Sequence, residues 1–266
     1  MVGLLLAPTP WEAFVRCEGA EDSGVLLLCD HASAALPDDY GNLGLKPEAF
    51  VRHIAFDIGA AALTRNLAGR FGAPAVLSHF SRLLIDPNRG LDDPTLIMEI
   101  SDGAIVPGNH HVSEAERSHR IGHFWQPYRG AVQAEVTRMI KAGPVPVLVS
   151  LHSFTPRWKH KARPWHVAVL WDKDDRVASP LIAGLRADPA LIVGDNEPYD
   201  GALRGDTLHE VATGPGLPHV LIEVRQDLIH DDAGQAFWTD RLEAVLRPLL
   251  ADRALHQIMP QGSRAL

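Results

Sequence analysis

Three apolar runs in this chain each end in ionisable side chains: Val25-Leu-Leu-Leu-Cys-Asp30-His31, Val147-Leu-Val-Ser-Leu-His152 and Val220-Leu-Ile-Glu223-Val-Arg225. They are apolar at nearly every position rather than at alternate ones, the pattern of strands covered on both faces by helices. Further strands are expected over 75–78, 166–171 and 190–193, with the three runs themselves covering 25–29, 145–151 and 219–224. Amphipathic stretches separate them and predict helices over 47–71, 113–141, 175–187, 204–213 and 233–251. Pro47 suits a first helical turn, Ser113 with Glu116 forms a capping box, and Gly143-Pro144 is a stop signal. Strands alternating with helices point to an α/β fold with a largely parallel sheet.

Two connections are longer than such a fold needs. Asp86 to Asn109 is rich in Asp, Pro, Gly and Asn, and Leu151 to Pro164 is basic and aromatic, with Phe154, Trp158 and Arg163 among its residues. Long loops in compact domains usually carry function. No composition break, repeat or low-complexity tract divides the 266 residues, so a single domain over 1–266 is the simplest expectation.

Composition narrows the partners. Against 25 basic residues stand 33 acidic ones, a net charge of −8, and there is no block of five or more Lys/Arg, so nucleic acid is not an expected partner. No apolar run approaches the roughly 18 residues that span a bilayer, so no membrane partner is expected either. The apolar Met1–Ala7 stretch lacks the basic region and the length of a secretory signal. The only cysteines, Cys17 and Cys29, form no C-x-x-C pair, which excludes a cysteine–zinc knuckle and favours a cytoplasmic setting. Fourteen histidines are more than average usage supplies. There is no G-x-S-x-G, Walker or G-x-G-x-x-G motif, and no H-E-x-x-H, so serine acyl transfer, P-loop chemistry, dinucleotide binding and a metzincin-like helix site all lack local support.

In open α/β sheets ligands bind beyond the carboxyl ends of the strands. The three runs therefore bring His31, His152 and Glu223 to one edge, and imidazole with carboxylate suits zinc with a position left open for water. A carboxylate inside Val-Leu-Ile-Glu-Val must be paired, metal-bound or protonated if it is buried, and a salt bridge to Arg225 is the simplest pairing. A third ligand can come from Asp30, His53 or Asp57, the last two sharing a face at i and i+4 of the expected helix. Arg82 and Arg89 flank a short apolar run in Ser81-Arg-Leu-Leu-Ile-Asp86-Pro-Asn88-Arg89 and offer rigid forks to an anionic substrate. The alternative for Asp86 and Arg89 is a brace within the loop. Asn196-Glu-Pro-Tyr199 reads as a turn whose polar tips can reach a ligand.

These pieces resemble the N-formylglutamate amidohydrolases. The likeness rests on Cys29-Asp-His31-Ala-Ser33 with Pro37, His53-Ile-Ala-Phe-Asp57-Ile-Gly59-Ala60, Ser81-Arg82-Leu-Leu-Ile-Asp86-Pro-Asn88-Arg89, Leu151-His-Ser-Phe154, Asn196-Glu-Pro-Tyr199 and Ile222-Glu-Val-Arg-Gln-Asp227, in order across about residues 25 to 230. The resemblance implies a three-layer α/β/α domain with a mainly parallel mixed sheet, similar to zinc carboxypeptidases and aspartoacylases. It also implies one zinc or other divalent ion, held by His31, His152 and a carboxylate. Asn88 and Arg89 would grip a substrate carboxylate, Arg82 and, less directly, Arg225 would assist, Asn196 and Tyr199 would line the site, and Glu223 would activate water. The implied substrate is a small anionic N-acyl amino acid, N-formyl-L-glutamate above others, in the setting of histidine degradation. The H-x-x-E spacing of the zinc relatives is missing, since Ala34 stands three residues after His31. Asp57 is preferred to Asp30 as the second ligand because Asp30 adjoins His31, and neighbouring strand residues point to opposite faces. A deacylase or carboxypeptidase of other specificity, or a binding module that kept the fold, are the competing readings.

Overall fold

The computed structural model describes residues 11–265, so the Met1–Ala7 stretch lies outside the described residues. In chain order the elements are β1 (Phe14–Cys17), β2 (Val25–Cys29), α1 (Ala60–Phe71), β3 (Ala75–Ser78), the short hairpin β4 (Ile100–Ser101) and β5 (Ala104–Ile105), α2 (Glu114–Arg120), α3 (Gln126–Ala142) and β6 (Val147–Phe154). A second small hairpin follows, β7 (Arg157–Trp158) with β8 (Lys161–Ala162), then β9 (Val167–Leu170), α4 (Ala178–Arg186), β10 (Val193–Asp195), β11 (His219–Arg225) and α5 (Asp232–Leu250).

Seven strands form one sheet in the order β1-β3-β2-β6-β11-β9-β10. The central four, β3, β2, β6 and β11, are parallel, while β1 on one side and β9 with β10 on the other run against them. All five residues of β2 and all eight of β6 are buried, as two covered faces require. Leu27, Val149 and Ile222 face one cluster with Leu63 of α1, Leu181 of α4 and Leu242 of α5. Leu26, Leu28, Leu148 and Leu221 face the other, with Tyr128, Val132 and Met139 of α3. The result is three layers. Each fully buried Leu or Val contributes about 1.5–3 kcal/mol, so these doubly covered strands form the most strongly held part of the fold.

Several sequence expectations need correction. The helix expected over 47–71 is split: Pro47–Val51 is a single 3₁₀ turn, further turns follow, and the α-helix begins only at Ala60. Gly59 is the reason. Its φ of 81° is left-handed, and a Cβ there would lie 2.1 Å from the Ile229 carbonyl oxygen, so the chain bends against the β11–α5 connection instead of continuing as helix. The helix expected over 113–141 is present but passes through a π-helical turn, Ile121–Trp125. Pro127 cannot donate to the carbonyl of His123, and a widened turn accommodates that loss. Ser113 does cap the helix by accepting from Glu116 N at 3.2 Å. The helix expected over 204–213 is largely a π-helical segment, His209–Thr213. The strand expected over 190–193 runs instead from Val193 to Asp195, because Asp188 caps a turn by accepting from Ala190 N. Strand β6 runs through His152 to Phe154, which shortens the second long loop to a hairpin. Strand β1 was not expected; four half-buried residues give little hydrophobic signal.

Candidate active site

Parallel β3, β2, β6 and β11 all deliver their carboxyl ends to one edge of the sheet. There Glu223 stands in direct register with His152 on the adjacent strand, so both side chains project from the same face. His31 follows β2, and its carbonyl accepts the backbone N–H of Asp57 at 2.9 Å, which fastens the loop before α1 to the end of β2. The loop after β3 is tied to that same loop, with the Ser81 hydroxyl donating to Ala55 O at 2.9 Å. Asn109 and Arg120 hold it from the other side, through Leu83 O and Leu84 O.

His31, Asp57 and His152 are all buried, and each offers a ligand atom within 4.8 Å of the other two. The imidazoles are oriented alike. Nδ1 of each approaches Asp57 Oδ2, at 3.3 Å from His31 and 2.8 Å from His152. The opposite nitrogens reach other buried carboxylates: His31 Nε2 lies 2.7 Å from Asp86 Oδ1, and His152 Nε2 lies 3.0 Å from Asp30 Oδ2. A carboxylate on Nε2 fixes the proton there and leaves the Nδ1 lone pair facing inward, the arrangement by which metal-binding histidines are oriented.

Charge balance points the same way. Burial alone would raise the carboxyls of Asp30, Asp57 and Asp86, yet the facing histidines, and Arg82 at Asp86, hold all three below the ordinary carboxylate range. Burial opposes a charge on His152, but Asp30 and Asp57 outweigh it and raise its pKa well above the ordinary value. Two of these three carboxylates flank one permanent cation, Arg82, which donates to Asp86 at 2.7 Å, lies 3.5 Å from Asp57 Oδ1 and touches His31 Nδ1 at 3.2 Å, while Asp30 faces His152 at 3.0 Å. Two imidazoles and a carboxylate fit a divalent cation: with a proton on each Nε2 both Nδ1 atoms can ligate, and the ion would take the place of the proton that Asp30 and Asp57 otherwise hold on His152.

Burial pushes Glu223 up to about 7, helped by Asp57 and opposed by His152, His31 and Arg82. Its Oε2 is buried without a hydrogen-bond partner. The salt bridge to Arg225 does not form: Arg225 turns away and grips Asp227 through Nε at 2.8 Å and Nη2 at 3.2 Å.

A cavity of about 370 Å³ opens over these groups, lined by His31, Asp57, His152 and Glu223 at its floor and by Arg82, Asn88, Arg89, Phe154, Trp158, Tyr199 and Asp206 among its walls. Asn88 Oδ1 accepts the Thr207 backbone N–H at 3.0 Å, which leaves its NH₂ as the donor available to the cavity. Arg89 is anchored by Nε to Thr95 Oγ1 at 3.2 Å and by Nη1 to Asn88 O at 2.9 Å. Arg163 stacks under Tyr199, 5.0 Å from the ring centroid, and steadies that wall.

Four residues considered for the site take other partners. Arg225 is outside the cavity lining, held by Asp227 as above. Asn196 spends its Oδ1 on Trp171 N and Gly201 N, both at 3.0 Å, so it braces the loop that carries Tyr199. His53 lines the cavity, but its Nε2 pairs with Asp102 at 3.1 Å and it takes no part in the ligand cluster. Asp30 lies behind His152, where it also accepts from Tyr128 and Ser150, each at 3.0 Å, and from Thr207. The loop-brace reading of Asp86 captured only half its role. It caps Asn88 N at 2.9 Å and at the same time orients His31. Asp206 was missed altogether, because it falls inside the helix expected over 204–213 and not at a strand end. The C-terminal segment also reaches this rim, for Arg264 binds both oxygens of Asp200, at 2.7 and 3.0 Å.

A gene product of Agrobacterium tumefaciens has 35% sequence identity, a TM-score of 0.86, and a match covering 91% of this chain and 96% of that one. An N-formylglutamate amidohydrolase from Ralstonia eutropha shares the fold at 22% identity and a TM-score of 0.68, over 89% and 97% of the two chains. No curated protein matches. Residues 23–230 match the family described as N-formylglutamate amidohydrolase, and the chain belongs to that family.

Proposed function

We propose that this protein is a metal-dependent hydrolase of the amide bond in a small N-acyl amino acid, with N-formyl-L-glutamate as substrate and zinc as the ion. The observation that carries this reading is the pair of buried histidines that turn Nδ1 toward one shared carboxylate and Nε2 toward a carboxylate of their own. His31, Asp57 and His152 hold the ion, with Asp86 and Asp30 orienting the two imidazoles. When bound, a divalent ion supplies Lewis-acid polarisation of an amide carbonyl and makes water more acidic.

The chain's own residues supply the rest. Glu223, with a pKa near 7, takes the proton of the attacking water at its carboxylate and returns it to the departing nitrogen. Arg89 and the Asn88 amide grip the substrate's carboxylates at the cavity wall, and Arg82 adds positive charge close to the reacting centre. Formate and glutamate are the products. Cys17 and Cys29 are both free, which fits a reducing cytoplasm. No helix among the described residues is long and apolar enough to cross a membrane.

The test is a substrate panel of N-formyl, N-acetyl and dipeptide derivatives of glutamate, aspartate and neutral amino acids, run beside metal analysis of protein purified without chelator. Formate release fastest from N-formyl-L-glutamate, with one ion retained at the buried cluster, is the expected result. Absence of release from every compound, or activity undiminished after complete metal removal, contradicts the proposal.

A further inference from the structure

On the protein surface, outside the buried cluster, Glu99, His110 and His111 bring three further ligand atoms within 4.8 Å of one another. All three side chains are exposed. Glu99 Oε2 lies 3.3 Å from His110 Nδ1, and its Oε1 accepts the backbone N–H of His111 at 3.4 Å. The two imidazoles sit with their centroids 3.8 Å apart, inclined at 46°.

Adjacent side chains of an extended chain point to opposite sides, so neighbouring histidines do not ordinarily converge. Here they do because His111 has a φ of 52°, in the left-handed region that bulky residues rarely enter. The backbone is held there by the 3₁₀ turn Pro107–Asn109 before it, where buried Asn109 donates to Leu83 O and Met98 O at 2.7 and 2.8 Å. Converging donors and an unusual backbone conformation are separate observations with one chemical reading.

We propose that Glu99, His110 and His111 form a second, surface metal site for a divalent transition ion of the zinc type. Two imidazoles and a carboxylate suit that class of ion, with the remaining positions open to water. Glu99 also begins the β4–β5 hairpin, where its carbonyl accepts Val106 N at 2.8 Å, and the hairpin tip places Asp102 against His53 of the cavity wall. An ion at this site ties the base of that hairpin to the 107–111 turn.

The experiment is equilibrium dialysis of the full chain, stripped of metal beforehand, against zinc ion alone, with elemental analysis of bound zinc. The double variant His110→Ala with His111→Asn removes both imidazoles while keeping a residue that tolerates the left-handed conformation. It should bind one equivalent less than the unaltered chain, and His152→Ala should still bind the surface equivalent. Glu99→Gln, which leaves both histidines in place, should weaken that equivalent. Equal stoichiometry in the double variant and the unaltered chain overturns the proposal, whatever the buried cluster binds.

Discussion

Replacing Asp86 by asparagine isolates the orienting role of a buried carboxylate. Asp86 is fully buried and accepts from His31 Nε2 at 2.7 Å, Asn88 N at 2.9 Å and Arg82 Nη2 at 2.7 Å. The amide has nearly the same shape but only one accepting end. If that end keeps His31 and Asn88, the NH₂ confronts the Arg82 guanidinium; if it keeps Arg82, two donors lose their acceptor. Neither guanidinium nor backbone N–H can reverse its role, so the better orientation still breaks a buried ion pair. Loss of one partner in such a pair costs about 3–5 kcal/mol. Asp57 Oδ1, 3.5 Å from Arg82, offsets part of this, which places the expected loss at the lower end, about 3 kcal/mol. His31 meanwhile keeps a neutral acceptor in place of a charged one, and metal affinity should fall about 10–100-fold. Urea denaturation of the stripped protein reads the first effect, and competition with a chromophoric chelator reads the second. Unchanged stability together with unchanged affinity would refute the reasoning.

Arg89→Ala should keep its metal but lose about 10²-fold in kcat/KM on a carboxylate-bearing substrate, as expected for a charge-assisted clamp worth a few kcal/mol; an equal loss on a substrate without carboxylates would show that the arginine only braces its loop. Arg264→Ala frees Asp200 at the cavity rim, and because both groups are largely exposed, KM should rise only about threefold, with kcat steady and Arg264→Lys partly restoring it. Burial pushes the carboxyl of Asp206 up to about 7, so the folded state holds a proton that the unfolded state releases near pH 4. Its contribution to stability is therefore complete at low pH and is lost as pH rises from about 4 through about 7. Asp206→Asn, whose amide oxygen can still accept from His209 N, should flatten that part of the stability–pH curve measured by urea denaturation between pH 5 and 8.

The sheet and its edge were legible because each central strand is an uninterrupted apolar run with its ionisable residue at or near the end. That pattern alone pointed to His31, His152 and Glu223, which the fold brings to one cavity. Asp57 does join the buried cluster, but it reaches it from a turn fixed by Gly59 and the His31 carbonyl, not from a helix shared with His53. Periodicity could not reveal the break, because the apolar spacing continues through 47–71 while the steric block comes from Ile229, far along the chain. Arg225 and Asn196 are held by other partners for a common cause. A polar side chain beside a site takes the nearest partner, and Asp227 two residues away and the 196–201 loop backbone were nearer than any substrate. The roles of Asp30 and Asp86 depend on pairings across 122 and 55 residues, which no local window contains.

The central claim is that Glu223 moves the proton while His31, Asp57 and His152 hold the ion, and Glu223→Gln separates the two. The amide keeps the size of the side chain and cannot accept a proton. Metal content and kcat measured on the same preparation should show the full complement of ion with turnover reduced by about 10²–10⁴-fold. Near-native turnover in Glu223→Gln, with the ion retained, would contradict the account.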